Sequence, residues 1–505
     1  MSKYDTICAI STAPGTGAIA VIRISGKDSF STALLVFRKN GKQLDINDIE
    51  PHKAYYGQII DTIPEDKPMI DEVVVTFFKA PHSYTGEDSV EISCHGSEFV
   101  QQKILELLCI RGCRLAKPGE FSKRAFINGK LDLAQAEAIA DLISAQNEAE
   151  HRIAVNQLKG GFSNELRDLR SQLVDLTSLL ELELDFSEED VEFADRTKLY
   201  ELLNAALKHI VKLTESFKMG NAIKNGIPVA IVGETNTGKS TLLNAILGEE
   251  RAIVSDIEGT TRDTIEETFT IEGMLYRFID TAGIRETSET IEKIGIERTF
   301  KKISEADIVI GLLDGTKSVK DIIKAWKDIV NRVNVLKQKL IIVVNKQDIM
   351  DAAKMFTLND DYLDHMKSTY EKNIEKHGGY MTDEYCYSVT GMDLYNIHGL
   401  ITFEYMSAKN PEDIESLKNS IRHRYTKLPK VDGSTTLVSN IRHFEALTHA
   451  KESLGQVKNG MDNKLSADLL AEDLRQALYH IGSITGEVTN GEVLNNIFGR
   501  FCIGK

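Results

Sequence analysis

Apolar and polar positions follow two different periodicities along this chain. Up to about residue 120, strand-like segments such as "GAIAVIRISG", "DEVVVTFF" and "SVEISCHG" surround the helix-like segment "SEFVQQKILELLCIRG". Alternation of apolar and polar residues indicates half-buried strands, and Gly112 favours the end of a helix. This part of the sequence predicts a mixed α/β domain over residues 1–122.

Long amphipathic helices are predicted next, from "LDLAQAEAIADLISAQ" to about residue 218. Leucines recur there at steps of three and four residues, which places them on one helix face. They are Leu166, Leu169, Leu173, Leu176 and Leu180. This spacing is typical of helices that pack against each other in a bundle.

Strands resume at "NGIPVAIVG" and alternate with helices, and helical patterns return in "VSNIRHFEALTHAKESLGQV" and "LLAEDLRQALYHIGSITG". Helical segments on both sides of an α/β segment suggest a domain inserted into another domain. We therefore predict a helical domain in two parts, 123–222 and 429–505, with an α/β domain at 223–428 between them.

Composition narrows the class of protein. The chain has 505 residues, of which 42% are hydrophobic and 27% charged, with a net charge of −16. The length suggests about three domains, and the absence of a ~20-residue apolar run or a basic leader predicts a cytoplasmic protein. Six scattered cysteines fit a reducing compartment and do not predict structural zinc. The negative charge argues against tight nonspecific nucleic-acid binding, although a locally basic face stays possible.

A glycine-rich loop, "GETNTGKS", follows an apolar strand and opens the helix "STLLNAILG". Backbone N–H groups of such a loop wrap phosphates, its lysine reaches the β- and γ-phosphate oxygens, and its serine ligates Mg²⁺. Lys239 is the candidate catalytic lysine and Ser240 the candidate Mg²⁺ ligand. The residues predicted to bind nucleotide here are Asn236, Thr237, Gly238, Lys239, Ser240 and Thr241.

Two further motifs are placed to contact the γ-phosphate and Mg²⁺. The first, "SDIEGTTRD", contributes Ser255, Asp256, Ile257, Glu258, Gly259, Thr260 and Thr261. The second, "DTAG", contributes Asp280, Thr281, Ala282 and Gly283. Thr260 and Thr261 are predicted to sense the γ-phosphate, with Thr261 as a second Mg²⁺ ligand. Asp280 would support the Mg²⁺ shell, and the N–H of Gly283 would meet the γ-phosphate.

The last two motifs select the base. In "IIVVNKQD", an apolar strand precedes Asn345, Lys346, Gln347 and Asp348. In "MSAKN", the candidates are Ser407, Ala408 and Lys409, where a backbone N–H can meet the guanine O6. The carboxylate of Asp348 can accept hydrogen bonds from guanine N1–H and the exocyclic amine, a donor pair that adenine lacks. The five motifs in this order predict a domain that binds GTP rather than ATP.

Ile284 follows Gly283, where Ras-like GTPases keep a glutamine that orients the attacking water. Either hydrolysis is slow, or another residue and another positive charge act instead. Glu292 is a candidate to orient water, although it also reads as a solvated helix carboxylate. Asn236 is either an ordinary residue of the loop or a ligand of a monovalent cation beside the phosphates.

The carboxyl end, "RFCIGK", carries Cys502 four places from the terminus. A prenylation box requires two aliphatic residues after the cysteine and a suitable last residue. Gly504 and Lys505 do not meet these requirements, so we do not expect lipidation. A free thiol of no consequence is the other interpretation that the residues leave open.

Together these segments resemble the family of bacterial tRNA modification GTPases called MnmE, or TrmE, over essentially the full chain. The resemblance is carried by "GETNTGKS", "SDIEGTTRD", "DTAGIRE", "EKIGIER", "PGEFSKRAFINGKLDLAQAEAIADLI" and "FCIGK". It implies an α/β and α fold: an N-terminal α/β folate-binding-like domain, a central helical domain, and a Ras-like P-loop G domain inserted in the helical domain. The family usually places far fewer residues between its two guanine motifs than this chain does. We therefore expect residues 349–406 to form a surface insertion.

The resemblance also implies how GTP is hydrolysed. A K⁺ ion would occupy the place of an arginine finger, and the G domains of two subunits of a homodimer would meet across their nucleotide faces. Glu292 would be the catalytic glutamate that orients water. The K⁺ ligands carry over to Asn236, Ser255, Ile257 and Thr260.

For the amino-terminal domain, the resemblance implies a site for a tetrahydrofolate derivative of the 5-formyl or 5,10-methylene type. Its contacts carry over to Arg23, Glu91, Lys130 and Lys505. Cys502 would come near this site as a thiol nucleophile or a proton-transfer group.

The implied function is installation of a carboxymethylaminomethyl-type group at C5 of the wobble uridine, U34, of certain tRNAs. A flavoprotein partner, MnmG or GidA, would form a heterotetramer with this chain and carry FAD and NADH, and no membrane would be involved. Two other readings stay open: a regulatory GTPase switch in ribosome assembly, and a folate enzyme regulated by its GTPase domain.

Overall fold

A computed structural model of the chain describes residues 5–61, 63, 68–185, 196–249, 267–271, 274–279, 303–334, 338–351, 401–422, 436–463, 465–489, 491–499, 501 and 504. The chain divides into two compact units. Unit 1 consists of Met1–Ser144, Ala154–Thr214 and Arg442–Lys505, and unit 2 of Ala145–Ile153 and Glu215–Ile441. The domain boundaries at 122, 222 and 428 stay predictions. Most of the segment expected to be an insertion, 349–406, lies outside the described residues, but its end at Ile401–Tyr405 is a strand of the sheet in unit 2 and not part of a surface insertion.

The amino-terminal part of unit 1 contains a seven-stranded sheet in the order β3-β4-β5-β6-β2-β1-β7, counted on the described residues. Its pairings are antiparallel except for the parallel pair of β1 and β7. The strands are β1 Ile7–Ile10, β2 Ile19–Ser25, β3 Phe37–Arg38, β4 Ala54–Ile60, β5 Met69–Phe78, β6 Ser89–His95 and β7 Arg114–Leu115. The three strands predicted from alternation are confirmed as β2, β5 and β6.

One face of this sheet is covered by apolar side chains of two helices. The helices of this region are α1 Ser29–Val36, α2 Glu98–Ile110 and α3 Glu120–Ile127. Ile22 and Ile24 of β2 alternate inward and share a core cluster with Leu107 and Leu108 of α2, all of them at most 1% exposed. Gly112, with a φ of 106°, lies just after α2, so the predicted helix end is confirmed.

The helical segments were also predicted correctly. The helices are α4 Leu133–Ser144, α5 Glu148–Leu158, α6 Gly161–Asp185, α7 Arg196–Asn225, α11 Ile441–Asp462, α12 Ala467–Thr485 and α13 Gly491–Phe498. All five leucines of the predicted stripe lie on α6 and are at most 2% exposed. Helix α6 packs against α12, so the stripe is core, as the spacing indicated. None of the described helices combines the length and the apolar character that crossing a bilayer requires.

A buried charged cluster joins α4 to α11 within unit 1. Arg442 donates two hydrogen bonds to the carboxylate of Glu137, at 3.0 and 2.8 Å, and His443 Nε2 lies 2.7 Å from the same carboxylate. Arg442 also donates to the carbonyl oxygens of Ser483 and Ile484 at the end of α12. Burial alone would raise the pKa of Glu137, but His443 and Arg442 lower this pKa to about 2. Residues distant in sequence therefore share one ionic cluster.

Unit 2 contains a six-stranded sheet in the order β13-β12-β11-β8-β10-β9, again among the described residues. Neighbouring strands are parallel except for the antiparallel pair of β9 and β10. The strands are β8 Ile227–Val232, β9 Glu267–Ile271, β10 Met274–Phe278, β11 Ile308–Asp314, β12 Lys339–Asn345 and β13 Ile401–Tyr405. The helices are α8 Lys239–Glu249, α9 Val319–Val330 and α10 Pro411–Arg422.

Both faces of this sheet are covered, which explains the unbroken apolar runs of β11 and β12. Leu242 of α8 and Leu417 of α10 belong to one core cluster, and Trp326 of α9 belongs to another, each at most 3% exposed. In a parallel sheet the carboxyl ends of neighbouring strands meet at one edge, where ligands bind. The loops after β8, β11 and β12 therefore come together at one edge of unit 2.

The Glu137 cluster generates a prediction about acid stability. Because the folded-state pKa is depressed, the ionised carboxylate stabilises the fold above its unfolded pKa of about 4.3, and this contribution is lost as the pH falls toward 2. We expect Glu137→Gln to lower the free energy of unfolding by about 3 kcal/mol at pH 7. The difference from wild type should shrink below about pH 4.3, as measured by urea unfolding at several pH values.

The matched control is Glu472→Gln on α12, where both partners of the ion pair with Arg475 are more than half exposed. This substitution should change the free energy of unfolding by less than about 1 kcal/mol at any pH. A Glu137→Gln difference that stayed constant from pH 7 to pH 3 would contradict the account.

Candidate functional site

The predicted phosphate loop connects β8 to α8 in unit 2. Lys239, the first residue of α8, donates from Nζ to the carbonyl oxygens of Gly233 and Glu234, at 2.9 and 2.6 Å. Thr237 Oγ1 donates to the Glu234 carbonyl at 2.9 Å, so the loop is closed on itself. Since Lys239 lies over the loop and Ser240 is half-buried in the first helical turn, both lie where the motif requires them.

The backbone of this loop takes left-handed conformations at two positions. Asn236 has a φ of 62° and an exposed side chain, and Gly238 has a φ of 100°. A Cβ at Gly238 would overlap the side-chain nitrogen of Asn345, so only glycine fits there. Asn is among the residues that tolerate the left-handed region. The exposed amide of Asn236 is accordingly available to a cation or to solvent.

The side chain of Asn345, the last residue of β12, joins two loops of the site. Its Nδ2 donates to the Thr237 carbonyl at 2.8 Å, and its Oδ1 accepts from the Ala408 N–H at 2.9 Å. Asn345 is 3% exposed, so both hydrogen bonds are shielded from water. The phosphate loop and the "SAK" loop are therefore held at a fixed separation by one amide.

The remaining residues of the guanine motif follow in a tight turn. Lys346 has a φ of 69° and precedes a 3-10 turn at Gln347–Ile349, which exposes the Asp348 side chain. Gln347 N–H donates to the Met406 carbonyl at 3.1 Å, which ties this turn to the chain before the "SAK" loop. In that loop, Ser407 N–H donates to Asp413 at 2.7 Å. All seven base-selecting residues predicted from the sequence thus lie at one edge of the sheet.

Two acidic residues that support this edge were missed from the sequence. Asp314 ends β11 and accepts from Lys346 Nζ at 2.7 Å, and Asp413 lies in the first turn of α10. Burial alone would raise the pKa of Asp314, but hydrogen bonds from Lys346 and Thr316 lower it below its ordinary value. The placement of Asp314 after an apolar strand, "IVIGLLD", was the signal that could have identified it.

The candidate residues of the "SDIEGTTRD" and "DTAG" motifs, and Glu292, lie outside the described residues. These are Ser255, Asp256, Ile257, Glu258, Gly259, Thr260, Thr261, Asp280, Thr281, Ala282, Gly283 and Glu292. The described part of the predicted Mg²⁺ and K⁺ sites consists of Ser240 and Asn236. Ser240 places a half-buried hydroxyl beside the loop lysine, which fits a Mg²⁺ ligand, and the side chain of Asn236 is exposed on the loop.

In unit 1, the structure brings together two of the residues assigned to folate. Arg23 on β2 pairs with Glu91 on β6 at 2.8 Å, and the guanidinium lies 4.9 Å from the Tyr84 ring centroid. Lys130 donates from Nζ to the Pro81 carbonyl at 3.0 Å, at the start of the loop that carries Tyr84. Cys502 and Lys505 lie outside the described residues.

Gly504 fixes the position of the carboxyl end within unit 1. Its carbonyl oxygen accepts from Ser11 Oγ at 3.1 Å, and a Cβ at this position would overlap the Ile10 carbonyl. Phe498, 2% exposed, packs with Phe126 and Leu133. Gly504 therefore packs beside the end of β1 in the amino-terminal sheet.

Comparisons with known proteins cover the whole chain. A family model described as the MnmE helical domain matches residues 133–502, and one described as the GTP-binding protein TrmE N-terminus matches residues 6–130. A tRNA modification GTPase MnmE of Parabacteroides distasonis is 48% identical over 99% of this chain and 100% of its own length. That of Flavobacterium johnsoniae is 47% identical over 100% of both chains.

Among solved structures, Era in complex with MgGDPNP and nucleotides of 16S ribosomal RNA is 24% identical. The similarity covers 45% of this chain and 66% of that chain, with a TM-score of 0.25. A similarity of this size carries no argument about the present fold or function.

The Asn345 bridge predicts a loss of nucleotide affinity on truncation. Asn345→Ala removes two buried hydrogen bonds and leaves the Thr237 carbonyl and the Ala408 N–H without that partner. We expect the affinity for GDP to fall by ~10- to 100-fold, measured by titration calorimetry with Mg²⁺. Asn463→Ala, which removes one exposed hydrogen bond to the Asn459 carbonyl, should leave the affinity within about twofold. Equal affinities of the Asn345 variant and wild type would contradict the account.

Proposed function

This chain belongs to the MnmE family of tRNA modification GTPases, and from this membership we propose that it hydrolyses GTP in the course of tRNA modification. The geometric observation that carries the GTPase part is the Asn345 bridge between the phosphate loop and the "SAK" loop. It holds a phosphate-binding loop and a base-binding loop in one site. The tRNA part rests on relatives that are similar over their full length.

The described residues support nucleotide binding at this edge. Lys239 carries the positive charge that meets the β- and γ-phosphates, and backbone N–H groups at the start of α8 face the same phosphates. Asp348 is exposed on its turn, where its carboxylate accepts from guanine N1–H and the exocyclic amine. The N–H of Ala408 is held by Asn345, which fixes the backbone of the loop expected to face guanine O6.

Hydrolysis needs a group that orients the attacking water, which the isoleucine at Ile284 cannot do, and a positive charge at the γ-phosphate. We assign Asn236 to a K⁺ site, with Ser255, Ile257 and Thr260 as the other ligands by family resemblance. The bound K⁺ would supply the positive charge at the γ-phosphate that an arginine finger supplies elsewhere. The support from this chain is that Asn236 is exposed on the loop in a left-handed conformation. Glu292 would orient the attacking water, and two G domains of a homodimer would meet during turnover.

The amino-terminal domain is assigned to one-carbon supply. A tetrahydrofolate of the 5-formyl or 5,10-methylene type would contact Arg23, Glu91, Lys130 and Lys505. Two features support this assignment: the Arg23–Glu91 pair at 2.8 Å beside Tyr84, and the packing of Gly504 against the amino-terminal sheet. The second feature concerns Gly504, which lies between Cys502 and Lys505 in the sequence. Cys502 would act there as a nucleophile or in proton transfer.

The modification itself is assigned to a complex. The chain would form a heterotetramer with the flavoprotein MnmG, or GidA, which carries FAD and NADH, and together they would install a carboxymethylaminomethyl-type group at C5 of U34. A net charge of −16 repels RNA overall, which supports a partner that carries much of the tRNA contact.

The test of this function is the nucleoside composition of tRNA. Cells that lack this chain should lose the modified wobble uridine, as measured by mass spectrometry of digested tRNA. The wild-type gene should restore the nucleoside. Asp348→Asn, which replaces the acceptor of the guanine donors, should restore little of it. Asp328→Asn, an exposed carboxylate on α9, is the matched control and should restore it fully.

An unchanged nucleoside profile in cells without the chain would contradict the proposed function. Loss of mature ribosomes with normal tRNA modification would instead favour the regulatory switch in ribosome assembly.

A further inference from the structure

The turn after β11 contacts both sides of the guanine motif, although no phosphate or base motif includes it. Asp314, the last residue of β11, is 8% exposed. One carboxylate oxygen accepts from Thr316 N–H at 3.0 Å and from Thr316 Oγ1 at 2.7 Å, and the other accepts from Lys346 Nζ at 2.7 Å. The aspartate is thus fixed by its own turn and holds the lysine of the neighbouring strand end.

Lys346 is the residue that such a contact affects most. Its φ of 69° lies in the left-handed region, which non-glycine residues seldom adopt. A lysine side chain also loses much rotamer freedom when it is fixed. A charge-assisted hydrogen bond to a buried carboxylate offsets both the cost of the left-handed backbone and the lost side-chain entropy. Lys346 directly precedes the 3-10 turn at Gln347–Ile349, so its conformation sets the direction of Asp348.

The backbone of the same turn contacts the other side of the motif. Gly315 N–H donates to the Asn345 carbonyl at 3.0 Å, and a Cβ on Gly315 would lie 2.7 Å from that oxygen. Lys317 reaches Glu234 of the phosphate loop at 2.6 Å, but both side chains are about half exposed, so this pair contributes little. The strong contacts of the turn are therefore those to Asn345 and Lys346.

We propose that Asp314 is a positioning residue for base recognition, which holds Lys346 so that the following turn presents Asp348 to guanine. This inference rests on the proposed function, because it requires that the site bind guanine nucleotides. Asp314 does not touch the nucleotide in this account. It acts through Lys346 alone.

A positioning role and a merely structural role predict different results for base selectivity. Inosine diphosphate has the phosphates and the N1–H of GDP but lacks the exocyclic amine that Asp348 accepts from. If Asp314 positions Asp348, its loss lowers the affinity for GDP more than the affinity for inosine diphosphate. If Asp314 only stabilises the end of β11, its loss lowers the melting temperature and lowers the affinities for both nucleotides equally.

The experiment measures the affinities of the full chain for GDP and inosine diphosphate by titration calorimetry with Mg²⁺. We expect Asp314→Asn to lower the affinity for GDP by ~10- to 100-fold and to bring the ratio of the two affinities toward one. Asp328→Asn on α9, which removes an exposed carboxylate, should leave the ratio unchanged. Thr316→Val keeps the charge of Asp314 but removes one hydrogen bond to it, and should lower the ratio by a smaller factor.

A double-mutant cycle tests the route through Lys346. In a Lys346→Met background, Asp314→Asn should lower the ratio by less than about twofold, because the contact is already absent. An unchanged ratio in both Asp314→Asn and Thr316→Val would overturn the inference while the proposed function stood. Failure of wild type to bind GDP would overturn the proposed function, and the inference with it.

Discussion

The buried side chain of Asn345 is the constraint on which the nucleotide site depends. A buried amide must satisfy its donor and its acceptor, since each unmade hydrogen bond costs about 1–3 kcal/mol. Asn345 uses its nitrogen on the phosphate loop and its oxygen on the "SAK" loop. Gly238 has no Cβ at the point where the amide nitrogen approaches. The separation between the phosphate-binding and base-binding loops is consequently set by one residue of the protein.

The sheet of unit 2 makes this arrangement possible. Strands β8, β11 and β12 are adjacent and parallel, so the residues that follow them meet at one edge. Each strand end contributes a different function: Lys239 after β8, Asp314 at the end of β11, and Asn345 at the end of β12. Because β11 and β12 are buried on both faces, their ends have little freedom to move. The site thus takes its rigidity from the core, and its chemistry from the loops.

The sequence predicted what depends on local pattern. Strand alternation, the leucine stripe of α6 and the order of the nucleotide motifs were enough for the elements and for the residues at the sheet edge. It did not show contacts between residues distant in sequence, because periodicity reports the faces of one element and not its partners. The carbonyl that Asn345 Nδ2 meets lies 108 residues away, and Glu137 pairs with Arg442 across 305 residues. The contact of Asp314 with Lys346 was missed for this reason. From the sequence alone, Arg23 and Glu91 are ordinary charged residues. The family resemblance assigned them to one site, and the structure shows that they form an ion pair.

We propose that this edge of unit 2 hydrolyses GTP with a K⁺ ion in place of an arginine finger and with Glu292 in place of the glutamine that orients water. The most direct measurement is single-site GTP turnover by the full chain, with Mg²⁺ present, in KCl and in NaCl at equal ionic strength. The account predicts turnover that is roughly 10- to 100-fold faster in KCl, since charge compensation at the γ-phosphate is worth rate factors of this order or more. Equally slow turnover in both salts would contradict it.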